Sequence, residues 1–89
     1  MLRVNLSKRA AKFPERLPAK HRRQIAAKIL AVADDPMPPD SAALKGHPYR
    51  RADVGEYRII YEVAGLVLRI LLIGRRNDAA IYRELRRMT

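Results

Sequence analysis

The chain contains no cysteine. Disulfide bonds, thiolate catalysis and cysteine-based zinc sites are therefore excluded. Long apolar runs are missing too. The longest near-continuous one, Leu66–Ile73, spans eight residues and is broken by Arg69, far short of a bilayer crossing. Met1-Leu2-Arg3 opens no secretory apolar segment, so a cytoplasmic location is expected. There is no H-E-x-x-H, no P-loop, no G-x-G-x-x-G and no nucleophile elbow. His21 and His47 stand far apart in sequence, and the acids around Asp34 and Asp40 lack metal-ligand spacing. Neither a metal nor another cofactor is expected.

Negative charge is also scarce. Nine Asp and Glu face nineteen Lys and Arg, a formal net charge of +10. Such a field draws polyanions and speeds encounter with them. Arginine outnumbers lysine, which favours forked phosphate recognition over a diffuse ammonium cloud. The positive charge is spread along strands and helices, not gathered beside one anchor, so no membrane partner is expected. With 89 residues, of which 48% are hydrophobic, residues 1–89 are expected to form a single domain with a modest core.

Leu2, Val4 and Leu6 alternate with Arg3 and Asn5, as in a half-buried strand. Ser7 is placed to cap a helix. Ala10, Ala11 and Phe13 give that helix an apolar stripe, and Pro14 ends or bends it. Pro18 opens a second helix, on which Ile25, Ala26, Ile29, Leu30 and Val32 recur at helical spacing. The proline-rich run Asp34–Asp40 is a semi-rigid connector. Three strands follow: Tyr49–Val54, Tyr57–Val63 and Leu66–Ile73, joined by turns at Gly55-Glu56 and Ala64-Gly65. Gly74–Asp78 makes a turn, and Ala79–Arg87 forms a last helix. The order is β-α-α-β-β-β-α, an α+β architecture with a helical hairpin on one face of a mainly antiparallel, twisted sheet.

Alternation sets Tyr57, Ile59, Tyr61 and Val63 on one face of their strand and Arg58, Ile60 and Glu62 on the other. Leu66, Leu68, Ile70 and Leu72 share a face opposite Arg69. Arg58 thus sits among apolar neighbours. It is either a snorkelling side chain paired with Glu62 or a cation held toward a ligand. Arg75 and Arg76 leave the last strand at a strand-to-loop exit, where a rigid scaffold often presents functional groups; a solvated turn is the plainer alternative. Of Arg50 and Arg51, one at most joins any given site. Tyr82 is either core or a functional phenol. His21 is expected to face solvent, and His47, in a loop with Pro48, is either a proton-transfer candidate or an incidental loop residue.

The segments Leu44-Lys45-Gly46, Tyr49–Val63 with its Val54-Gly55-Glu56-Tyr57-Arg58-Ile59-Ile60-Tyr61 core, Ile73-Gly74-Arg75-Arg76 and Tyr82 together resemble the RelE/ParE superfamily of bacterial toxins from type II toxin–antitoxin modules. RelE-like members of that superfamily cut mRNA in the ribosomal A site; ParE-like members poison DNA gyrase. The resemblance implies a RelE-like fold. It also implies a metal-independent endoribonuclease that inhibits translation, with non-enzymatic gyrase inhibition as the alternative and an inactive RNA-binding domain as a third reading. By resemblance, Arg58 holds the scissile phosphate. Arg76 stabilises the transition state or supplies the proton. Tyr82 stacks on or orients the substrate base, and Arg51 falls where a catalytic lysine is found. Asp53 departs from the pattern, standing where a second basic residue is usual. It would act either as a carboxylate base or as a salt-bridge partner of Arg51 or Arg58. Lys45, Arg50 and Arg75 are candidate RNA contacts. The implied partners are a small acidic antitoxin from an adjacent gene, the ribosome with its mRNA, and operator DNA reached through a toxin–antitoxin hetero-oligomer.

Overall fold

The computed structural model describes residues 1–77 and 79–88. Strand β1 (Arg3–Leu6) leads into helix α1 (Lys8–Lys12), which tightens into a 3₁₀ turn over Phe13–Arg16. Helix α2 (Ala19–Asp34), a short β2 (Ser41–Ala43), then β3 (Arg50–Val54), β4 (Tyr57–Ala64), β5 (Val67–Arg75) and helix α3 (Ala80–Met88) complete the chain. The strands form one sheet in the order β1-β5-β4-β3-β2. Strand β1 pairs with β5 in parallel, and β5–β4, β4–β3 and β3–β2 are antiparallel. This is the expected α+β order with one added element. Strand β2 was not expected because Ser-Ala-Ala carries no β-branched or aromatic residue; pairing with β3 recruits it.

Two tight hairpins fix the register of the central strands. Gly55, with φ +54°, and Gly65, with φ +61°, each open a two-residue turn, where a positive φ suits glycine. The second turn is Gly65-Leu66, one residue later than expected, because β4 continues through Ala64. Counting outward, Val54 pairs with Tyr57 and Asp53 with Arg58; on the other hairpin, Glu62 pairs with Arg69.

The pairing of β4 with β5 slips once, between Ile60 and Tyr61, so that Leu71 is an extra residue on β5. The bulge corrects the expected alternation: Leu68 and Ile70 face α2, but Leu72 faces the opposite side. Ser7 stabilises this irregularity. Its hydroxyl donates to the Leu71 carbonyl at 2.6 Å while accepting the N–H of Ala10 at 3.0 Å as the cap of α1.

The sheet is apolar on both faces. On one, Tyr57, Ile59, Tyr61, Leu68 and Ile70 pack under Ala10 of α1 and Ile25, Ile29 and Val32 of α2. On the other, Ile60 and Leu72 pack under Ile81 and Leu85 of α3. The helical hairpin lies on one face, as expected, and α3 covers the opposite one. Leu30, expected in the apolar stripe, is 54% exposed; it lies to the side of the Ile25–Ile29–Val32 line. His21, expected to face solvent, is half-buried, with Nδ1 2.6 Å from the Tyr57 hydroxyl. The connector is tied down where Tyr61 donates to the Pro36 carbonyl at 2.7 Å and Lys28 pairs with Asp40.

After β5, Arg76 and Asn77 turn the chain; Asp78, expected in this turn, lies outside the described residues. Gly74 is buried under α3. A methyl group at its Cα would meet Ile81 Cδ1 at 3.3 Å, so the absent side chain is what lets α3 lie against the strand. Among the described residues, no helix is long and apolar enough to cross a membrane.

Candidate active site

Four elements deliver side chains to the α3 face of the sheet. Strand β3 contributes Arg51 and Asp53, and β4 contributes Arg58. The turn after β5 contributes Arg76, and α3 contributes Tyr82. Two of the placements follow directly from register. Asp53 stands opposite Arg58 because both are one pair removed from the Gly55-Glu56 turn. Arg76 is fixed at its backbone, where its N–H donates to the Glu56 carbonyl at 3.0 Å.

Arg58 is the centre of the cluster. Its Nε donates to Asp53 Oδ1 at 2.7 Å and its Nη2 to Oδ2 at 3.2 Å, a forked pair. Its Nη1 donates to the Tyr82 hydroxyl, and its guanidinium carbon lies 5.9 Å from the Tyr82 ring centre. Arg51 Nη1 and Arg76 Nη1 approach Asp53 Oδ2 at 3.5 and 3.9 Å. Those are ion-pair distances, too long for good hydrogen bonds. The Arg58 side chain is 16% exposed and that of Arg76 48%. Arg58 is therefore held by its neighbours, whereas Arg76 reaches into solvent.

The Asp53 carboxyl is held below the usual carboxylate range. Hydrogen bonding from Arg58 is the main cause; partial burial opposes it, and the charges of Arg58, Arg51 and Arg76 add to it. The same hydrogen bonds push the Arg58 guanidinium further up. Asp53 is thus a carboxylate with both oxygens engaged, and a weak proton acceptor. Of the two roles left open for it by sequence, the geometry realises the salt bridge to Arg58. Glu62, the partner considered for Arg58 from spacing, instead accepts from Arg69 at 2.9 Å.

Arg51, Asp53, Arg58, Arg76 and Tyr82 therefore converge. Three other candidates are not brought to the cluster. Arg50 leaves β3 on the opposite face, where its Nη2 donates to Ser41 Oγ at 2.9 Å. Arg75 also lies on the opposite face, 5.7 Å over the Tyr57 ring and 3.5 Å from Glu56. Lys45 is exposed in the loop after β2. The alternation of side chains along a strand is the reason for the first two. Sequence reasoning did not single out Tyr49. Like Tyr82, it packs against the Ile60–Leu72–Ile81–Leu85 cluster, with the His47 ring stacked on it at 6.1 Å between ring centres. Its position two residues before Arg51 was the available signal that both share a face.

A basic α+β module with three guanidiniums and a phenol gathered on one sheet face is equipped to hold an oxyanion. Residues 4–80 match the family described as the ParE toxin of the type II toxin–antitoxin system parDE, and the chain belongs to that family, within the RelE/ParE superfamily of toxins. Among solved structures, the archaeal RelE–RelB complex from Pyrococcus horikoshii contains a chain that is 30% identical. The alignment covers 88% of this chain and 98% of that one, with a TM-score of 0.76. A mutant of Escherichia coli RelE in the free state is 22% identical over 99% of this chain and 98% of its own, with a TM-score of 0.80. The RelBE2 complex from Mycobacterium tuberculosis is 18% identical over 84% and 98%, with a TM-score of 0.74. The last two show likeness of fold. No curated protein matches in sequence. The chain is a toxin of a type II toxin–antitoxin module.

Proposed function

We propose that this toxin is an endoribonuclease that cuts mRNA at the ribosome, with the Arg51–Arg58–Arg76–Tyr82 cluster as its active site. The convergence of those four side chains on one face of the sheet, with Arg76 reaching into solvent, carries the reading. The reaction is attack of a ribose 2′-oxygen on the adjacent phosphorus. A P–O2′ bond forms and the P–O5′ bond breaks; the 2′ proton goes to a base and the 5′ oxygen gains one. Charge grows on the non-bridging oxygens, which is where preorganised guanidinium donors contribute most. Arg58, held in position by Asp53 and Tyr82, is a cation placed beside that charge. Arg76, more open, is suited to the growing charge or the leaving oxygen. Tyr82 presents a ring edge and hydroxyl to a base beside the scissile link.

The natural regulator is an antitoxin whose acidic segment covers this basic surface. The structural neighbours from Pyrococcus horikoshii and Mycobacterium tuberculosis are themselves toxin–antitoxin complexes, which supports such a partner. A toxin–antitoxin assembly on operator DNA is the further expectation.

One observation favours a second reading, inhibition of DNA gyrase: the matching family is that of ParE toxins. A single experiment separates the two. Purified protein is added to a translation reaction and, in parallel, to a gyrase supercoiling assay. Cleavage of mRNA within A-site codons, abolished by Arg76→Ala, is the expected result. Intact mRNA together with trapped, cleaved DNA overturns the nuclease reading and establishes the other.

A further inference from the structure

A guanidinium fork fits a carboxylate and a phosphate equally well, because both offer two oxygens at similar spacing. In this protein the Arg58 fork is already filled. Nε and Nη2 are committed to the two oxygens of Asp53, and Nη1 donates to Tyr82. Arg51 and Arg76 stand 3.5 and 3.9 Å from the same carboxylate without hydrogen-bond contact. The negative end of the cluster is not a wandering surface side chain. Register sets Asp53 directly across from Arg58, so the carboxylate is presented to the fork in every folded molecule. No other acid makes comparable contact among the described residues: Glu62 is paired with Arg69 and Glu56 with Arg75.

We propose that Asp53 is an internal competitor for the substrate phosphate: it occupies the Arg58 fork in the resting protein and must yield it when a phosphodiester enters. The inference rests on the reading of this cluster as a phosphate site and deepens it. A tethered competitor acts at high effective concentration. A loose RNA strand, despite the +10 charge of the chain, displaces it poorly. A strand that a larger assembly holds against the site displaces it well, since the entropic cost of positioning has already been met. Asp53 therefore makes the toxin selective for presented RNA over free RNA, and keeps a strongly basic protein from being titrated by nonspecific polyanions.

The test is binding of a fluorescent single-stranded 2′-O-methyl RNA oligonucleotide, which cannot be cleaved, measured by anisotropy at fixed ionic strength. Asp53→Asn is expected to bind about tenfold more tightly than the parent protein, the scale of one hydrogen-bonded charge contact. Glu56→Gln removes the same charge from an exposed acid and is expected to change affinity less than about twofold. In an Arg58→Ala background the gain from Asp53→Asn is expected to vanish, since the competition acts through that fork. Asp53→Ser repeats the test if the asparagine variant folds poorly. Affinity of Asp53→Asn equal to or below that of the parent overturns the inference, as does an equal gain from Glu56→Gln. The outcome is separable from the nuclease reading. Tighter binding by Asp53→Asn with mRNA left intact in a translation reaction removes the nuclease and leaves the competitor. Cleavage without any gain in binding does the reverse.

Discussion

Gly74 of β5 and Ile81 of α3 are in closest packing contact: three Ile81 side-chain atoms lie 3.3 to 3.5 Å from where a Cβ on Gly74 would stand. The consequence reaches the active site, since Tyr82 is the next residue on the helix. Gly74→Val is expected to push α3 outward, destabilise the protein by about 1–3 kcal/mol through overpacking, and break the Arg58–Tyr82 contact. Gly74→Ala is milder, and combining it with Ile81→Val, which removes Cδ1, is expected to recover most of the loss. Thermal unfolding of the three variants checks this. Equal stability for Gly74→Val and the parent would show that α3 does not depend on the missing side chain.

Arg58 is expected to be irreplaceable by lysine. An ammonium group preserves the charge but cannot engage both Asp53 oxygens and the Tyr82 hydroxyl in one plane. On the nuclease reading, Arg58→Ala and Arg76→Ala are each expected to lower mRNA cleavage about 10²–10³-fold and to relieve growth arrest on expression. Arg58→Lys is expected to resemble Arg58→Ala more than the parent. Single-turnover cleavage rates with matched circular dichroism spectra decide the matter; full toxicity of both alanine variants would reject the site.

Much of this arrangement was legible in the chain. The two hairpins announce themselves through Gly55 and Gly65 between β-rich runs; the register of the first was countable from its turn, whereas the second turn falls one residue later than expected. Two residues before Glu56 stands Val54; one step further out, Asp53 must meet Arg58. That count was a better guide to the partner of Arg58 than the i, i+4 spacing to Glu62, which along a strand places two side chains on one face but well apart. The bulge at Leu71 was not legible, because Ile70-Leu71-Leu72-Ile73 shows no alternation in which an extra residue would stand out. The side of the sheet that α3 covers was hidden with it. The meeting of Tyr82 with Arg58 joins an α-helix to a strand 24 residues away, and no local pattern encodes it; the family resemblance supplied that pairing of roles.

Ser7 carries two duties with one hydroxyl, capping α1 and satisfying the Leu71 carbonyl where the β4–β5 ladder slips. Ser7→Ala leaves one orphan donor and one orphan acceptor in a half-buried position. The expected loss is about 1–2 kcal/mol of stability, read by urea denaturation, with no change in RNA affinity because the residue is remote from the cluster. Ser7→Thr retains the hydroxyl and is expected to recover most of it. A loss in Ser7→Ala below about 0.5 kcal/mol would mean that water replaces both contacts.

The acid limb of stability is expected to carry the signature of Asp53. Its carboxyl lies below the usual range in the folded protein, chiefly through the hydrogen bonds from Arg58, while in the unfolded chain it returns to about 3.9. A depressed carboxyl binds fewer protons folded than unfolded in that window. Its stabilising contribution is thus complete above the unfolded value and is lost as pH falls through the folded one. Asp53→Asn has no such group. The stability difference between parent and Asp53→Asn is therefore expected to be constant near neutrality and to shrink steadily below about pH 4. Urea unfolding midpoints for both proteins between neutral and acid pH check it. A difference that stays unchanged into strong acid would mean that the Asp53–Arg58 fork contributes through shape and hydrogen bonding alone, with no ionic linkage to folding.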